Sequence, residues 1–232
     1  MHQIRIGNIE VDVIRKNIKN LHLAVYPPNG RVRIAAPLKS NDESIRLFAI
    51  SKIFWIKDQQ KKFHNQVRQS EREYVSGESH YFMGTRYLLN VIPNSPKDQV
   101  EIRNKTYIDL YVKKDNTKDH REKIITEWYR KQLKKEIPNL IEKWQVRMGV
   151  DVNSWGVKKM RTKWGSCNIE EKRIWMNLNL AKKHKQCLEY VIVHEMVHLL
   201  ERNHNDRFIA HMDHYLPRWR AIKDELNGLI FD

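Results

Sequence analysis

The segment His194-Glu195-Met196-Val197-His198 is the part of the chain whose residue types and spacing suit chemistry most directly. Two histidines at i and i+4 lie about 40° apart around a helix and one turn along it, so both imidazoles reach one tetrahedral metal ion from the same face. Glu195 lies about 100° from His194 and about 60° from His198, close enough for its carboxylate to lean toward a water without being an obvious ligand. A catalytic zinc needs about three protein ligands and an open position where water falls to a pKa of about 7. The expected roles are His194 and His198 as ligands of Zn2+ and Glu195 as the base that removes the proton. That describes a zinc-dependent hydrolase.

The flanking residues Tyr190-Val191-Ile192-Val193 and Leu199-Leu200 make this helix apolar nearly all round, which predicts burial. Two histidines and a glutamate in such a helix are costly without partners or a metal. For the third ligand the reading favours His204, just beyond the apolar run, because Glu201-Arg202-Asn203 can reverse the chain and Asn tolerates the left-handed conformation that ends helices. His211, Asp213, His214 and Glu225 on the last helix stand as alternatives. Cys187 shares the histidine face but sits about 10 Å up the axis, too far for the same coordination shell. Cys167 reads as a buried reduced thiol.

The elements that must position these groups follow from periodicity. Residues 4 to 37 alternate in short runs interrupted by Pro27-Pro28-Asn29-Gly30, as antiparallel strands and hairpins do. Asn41 and neighbours form a capping signal, and Ile45, Phe48, Ala49, Ile53 and Ile56 predict a helix to about Arg68. Residues 74 to 92 and 99 to 113 read as further strands. The polar stretch Lys113 to Asp119 marks a boundary, giving a β-rich N-terminal region with one long helix over 1–115 and a catalytic domain over 116–232. Apolar spacing from Ile124 to Trp144 predicts a long helix, or a pair bent at Pro138. Strands are expected at 155–162 and 174–180, joined by a loop containing Trp164-Gly165-Ser166-Cys167-Asn168, then helices at about 186–200 and 206–226. No internal repeat is legible. The fold class is α+β.

The segment around Trp164 reads equally as a plain hairpin with an aromatic packed under it and as the edge of a cleft formed by Trp164 and Ser166. The strand from Ile174 to Leu180 would offer its backbone to an extended peptide, with Asn177 and Asn179 on one side.

The 232 residues suffice for a proper core, and 41% hydrophobic with 31% charged residues fits a soluble globular protein. No apolar run reaches membrane-spanning length, the N-terminus lacks a signal-peptide pattern, and two unpaired cysteines suit a reducing compartment. The expected location is the cytoplasm, with no membrane partner. A net charge of +15 attracts polyanions and admits nucleic acid as a partner, although dispersed lysines and arginines equally serve as a solvated surface. Oligomeric state is not legible.

Three motifs in order, Trp164-Gly165-Ser166-Cys167, then Asn177-Leu178-Asn179-Leu180, then His194-Glu195-x-x-His198 followed by His204-Asn205-x-x-Phe208, resemble the YgjP-like metallopeptidases, which are similar to the SprT and WLM zincin families. The resemblance runs from about residue 15 to 228. It implies a zincin-like metallopeptidase domain behind an N-terminal β-rich part, zinc on His194, His198 and His204, and catalysis by Glu195. Metzincins have a similar histidine spacing, but the glycine of their intervening turn is Glu201 here. A metallopeptidase acting on polypeptide is the leading reading. A nucleotide pyrophosphatase using the same metal and base is the second, without a Gly-rich phosphate loop to support it. A nucleic-acid-associated protease is the third.

Overall fold

The computed structural model describes residues 2–26, 29–65 and 72–228. The Pro27-Pro28 part of the expected turn and the helix end near Arg68 lie outside the described residues. By contacts the chain divides into two compact units, Met1–Val67 and Arg68–Asp232.

In the first unit, β1 (His2–Ile6), β2 (Ile9–Lys16), β3 (His22–Tyr26) and β4 (Arg31–Pro37) form one sheet in the order β1-β2-β4-β3. The outer pairs are antiparallel, but β2 and β4 run parallel, with Val11 opposite Val32 and Val13 opposite Ile34. An all-hairpin meander would have left β4 at an edge. Its buried Val32, Ile34 and Ala36 instead take a central place beside Val11 and Val13. α1 (Asp42–Ser51) starts at Asn41, whose side chain accepts from the Ser44 N–H, and covers the sheet with Ile45 and Ala49. The single helix expected here is two: the chain breaks at Lys52, where Ser51 Oγ donates to the Phe48 carbonyl, before α2 (Ile53–Asn65) adds Ile56 to the core.

The second unit opens with the same path. β5 (Ser79–Phe82), β6 (Thr85–Ile92), β7 (Gln99–Arg103) and β8 (Tyr107–Tyr111) lie in the order β5-β6-β8-β7, again with a parallel central pair. The four-strand topology therefore recurs where the sequence shows no repeat. α3 (Lys118–Met148) follows as one helix of 31 residues that continues through Pro138 and ends at Gly149 in the left-handed region. Its Ile125, Tyr129, Leu133 and Ile137 share a core with Leu89, Ile108 and Leu110. The boundary expected at 115/116 thus falls inside this unit, since strands before it and helices after it bury one set of side chains.

β9 (Ser154–Lys158), β10 (Gly165–Asn168) and β11 (Arg173–Asn177) make a second sheet in the order β10-β11-β9. Here the loop expected around Trp164 is partly a strand: β10 pairs antiparallel with β11, while β9 pairs with β11 in parallel. The strand expected to reach Leu180 stops at Asn177. That residue is buried, donates to the Met160 and Lys163 carbonyls, and accepts from the Asn179 N–H to start a 3-10 turn over Leu178–Lys182. α4 (Lys185–Val197), α5 (Asp206–Tyr215) and α6 (Trp219–Gly228) complete the unit. Two helices were expected after residue 186, but Pro217 divides the second: it has no N–H to give and keeps Leu216 out of helical geometry, at φ −139° and ψ 73°. The class is α+β, as the sequence implies. No helix among the described residues is long and apolar enough to cross a membrane.

Candidate active site

Every side of α4 is covered. Leu188, Val191, Ile192, Val193, Met196 and Val197 are buried among α3, β10, β11, α5 and α6, as the apolar sequence around the two histidines predicts. His194 and His198 reach the margin of this packing, and the helix ends at once, with the Leu199 and Leu200 N–H groups bonding back to Met196 and Val197. The reversal to His204 needs no left-handed residue: Glu201, Arg202 and Asn203 are all at negative φ. A side-chain bond stands in, with Glu201 Oε1 accepting from the Asn203 N–H.

The result is a compact cluster. His204 Nε2 lies 3.0 Å from His194 Nε2, the three ring centroids are 4.7 to 5.1 Å apart, and one donor nitrogen from each ring lies within 4.8 Å of the others. Two ligands at about 2.0–2.1 Å from one tetrahedral zinc stand about 3.3 Å apart, so the cluster has the dimensions of a three-histidine metal site. His198 Nδ1 lies 3.3 Å from the Glu201 carbonyl, which fixes the proton there and leaves Nε2 free as a donor. His194 Nδ1 is buried without a hydrogen-bond partner among the described residues. Burial, with help from His198, His204 and Lys223, holds His194 down at about 3, and burial also lowers His198. Neutral imidazole is the form that binds metal.

Phe208 lies beneath all three rings, 4.6 to 5.0 Å from their centroids. It is buried and sits in the first turn of α5, where Asn205 caps the helix by accepting from the Phe208 N–H. The His-Asn-x-x-Phe spacing is thus a member of the histidine cluster, a cap and a floor, an arrangement the sequence carried without disclosing it. The alternative third ligands are engaged elsewhere. Asp213 pairs with Arg220 and Trp219, Glu225 with His184 and Gln186, and His211 and His214 each pack on Tyr215.

Glu195 is 6% exposed. It owes its position to Gly165 on β10: a Cβ there would lie 2.6 Å from Glu195 Oε1 and 2.8 Å from Val191 Cγ1. Burial pushes the carboxyl up to about 8, with Lys163 drawing it back. Two other buried carboxylates, Asp12 and Asp109, are each paired with an arginine and a side-chain amide. Glu195 makes no hydrogen bond or ion pair with a described residue.

A cleft of about 1030 Å³ opens over this group. Trp164, Ser166 and Cys167 line one wall, as expected for the first two. The half-buried Cys167 thiol is pushed up to about 11 by burial and by Glu195, so it stays protonated. The edge strand at the cleft is β10, not the Ile174–Asn177 strand expected to present its backbone, because β11 is paired on both sides. Lys223, Leu226 and Asn227 of α6 form the facing wall, joined across by Trp164 Nε1 donating to Asn227 Oδ1 at 3.2 Å. Tyr190, one turn before His194, stacks on Trp219.

The comparisons with known proteins agree with the class of site. A family model described as the YgjP-like, metallopeptidase domain matches residues 19–229. The chain belongs to that family, and is by membership a metal-dependent hydrolase of polypeptide. No curated protein matches it. Among solved structures it is similar to the metallopeptidase zymogen of Pyrococcus abyssi abylysin, at 16% identity and a TM-score of 0.37, over 39% of this chain and 90% of that one. It is also similar to the metallopeptidase zymogen of Methanocaldococcus jannaschii jannalysin, at 20% identity and a TM-score of 0.34, over 39% and 92%.

Proposed function

We propose that the chain is a zinc-dependent peptidase in which His194, His198 and His204 hold the metal and Glu195 is the general base. When bound, zinc lowers the pKa of water toward about 7 and polarises the scissile carbonyl. Glu195 takes the proton from the attacking water on a carboxylate oxygen and returns it to the leaving amine. An extended substrate pairs with the free edge of β10, whose backbone runs along the cleft.

The observation that carries this reading is the unpartnered state of Glu195. A buried carboxylate with no protein donor is costly to stability, and such a group at the mouth of a cleft is reserved for something the protein binds. The test is the Glu195→Gln variant, which keeps the volume but cannot accept a proton. It should retain one zinc per chain by elemental analysis and lose the wild type's cleavage of an unfolded polypeptide. Equal cleavage by the variant would remove Glu195 as the base, and wild-type protein that takes up no zinc would remove the metal assignment.

A further inference from the structure

Apart from the metal donors and Glu195, the charged residues lining the cleft are Lys163 just before β10, Arg202 in the turn after α4, Lys223 on α6, and Glu170. The three cations are exposed, and none is ion-paired with a carboxylate among the described residues. The neighbouring Glu201 is taken by Arg207 and by the Asn203 N–H, and Lys223 rests over the Trp219 ring. The cations come from three separate parts of the chain that line one cleft: Lys163 just before β10, Arg202 in the turn after α4 and Lys223 on α6. Elsewhere on this basic surface many lysines and arginines have carboxylate partners, such as Lys143 with Glu189 and Lys185 with Glu136. Three cations against the one carboxylate of Glu170 thus leave the lining around the proposed reaction centre net positive.

We infer that this cleft selects polypeptide segments bearing acidic side chains beside the scissile bond, with Lys163, Arg202 and Lys223 as the specificity-determining residues. The inference rests on the peptidase reading above. A cleft whose lining is net positive, here three cations against Glu170, concentrates segments of negative charge and disfavours positive ones. Each solvent-exposed pair is worth at most about fivefold in discrimination, so three cations acting together give on the order of tenfold or more, weakening as salt screens them.

Two readouts separate this inference from the reading beneath it. Labelled peptides of one backbone, with Asp/Glu, Ser/Gln or Lys/Arg flanking the central bond, are titrated against zinc-loaded Glu195→Gln protein by fluorescence anisotropy. The same peptides are given to wild type for kcat/KM. The acidic series should bind and be cut about tenfold better than the neutral one at low salt, with the advantage falling sharply near about 0.5 M salt. Lys163→Glu and Lys223→Glu should each reduce the acidic-to-basic ratio severalfold while zinc content and Tm stay at the wild-type level. Equal binding of the acidic and neutral series, or a ratio that neither reversal moves, overturns the inference and leaves the peptidase reading intact. Preferential binding of acidic peptides with no cleavage of any series upholds the selectivity and sinks the peptidase reading. Tighter binding of a nucleoside triphosphate with zinc-dependent release of pyrophosphate would assign the cations to phosphate and overturn both.

Discussion

Gly165 and Glu195 are in direct contact, the carboxylate lying where a Cβ on residue 165 would have to be. One strand residue without a side chain therefore sets where the proposed base can stand. Gly165→Ala should push the Glu195 carboxylate from its place and lower kcat/KM by about a hundredfold, the effect of roughly 1 Å of misplacement. Zinc content should not change, since the atoms nearest that Cβ belong to Glu195 and Val191 and not to a histidine. An alanine variant of wild-type activity would show that Glu195 has room to spare.

Removal of metal donors should divide the C-terminal histidines sharply. His204→Ala should weaken zinc binding in competition with a chelator, as should His194→Ala and His198→Ala, while His211→Ala and His214→Ala leave it near wild type. The two spared residues pack on Tyr215, away from the cluster. Loss of zinc on changing His211 would contradict the three-histidine assignment.

Phe208 supports the three rings from below, so Phe208→Leu should loosen their arrangement without leaving the void that alanine would. Zinc affinity is expected to fall severalfold, with stability reduced by about 1 kcal/mol or somewhat more. Phe208→Ala should cost about 3–5 kcal/mol. Chelator competition on the leucine variant reads the first effect and denaturant unfolding the second. Unaltered zinc affinity in Phe208→Leu would reduce the ring to ordinary core.

His80 supplies a pH dependence away from the site. It is buried, its Nε2 has no hydrogen bond, and burial together with Arg72 and Lys182 holds it down at about 3, although Glu78 Oε2 lies 3.7 Å away. The unfolded chain takes up a proton near pH 6.5 and the folded one does not, so stability is lost as pH falls from about 6.5 toward 3. At pH 4.5 the loss is about 3 kcal/mol, and His80→Gln should flatten that part of the stability profile. A profile identical to wild type below pH 6.5 would place the acid sensitivity elsewhere.

The helix of His194 and His198 was legible because its information is local: a period of 3.6 fixes which side chains share a face, and the apolar residues around His194 announce burial. The approach of His204 to these two was legible from the short distance along the chain to His198. The surroundings of Glu195 were not, because Gly165 approaches it from a strand whose place no local pattern encodes, and the wall formed by Lys223 and Asn227 arrives from another helix. The same limit misplaced the boundary at 115. The polar run from Lys113 to Asp119 resembles a linker, yet Leu110 before it and Tyr129 after it belong to one core. Parallel pairing of β2 with β4 and of β9 with β11 escaped for the same reason: alternation reveals a strand and says nothing of its neighbour.

Glu225 of α6 accepts from the side chains of His184 and Gln186, at the very start of α4, while Trp219 and Asn227 reach Tyr190 and Trp164. During synthesis these contacts come late. The ribosome delivers His194, Glu195 and His198 first, and the stretch from His198 to Gly228, which includes His204, takes about 2–6 s more at roughly 5–20 residues per second. Until then the nascent chain has the helix of His194 and Glu195 without the clasp that anchors it and a cleft with one wall, so the cleft closes around these residues only once α6 has been made.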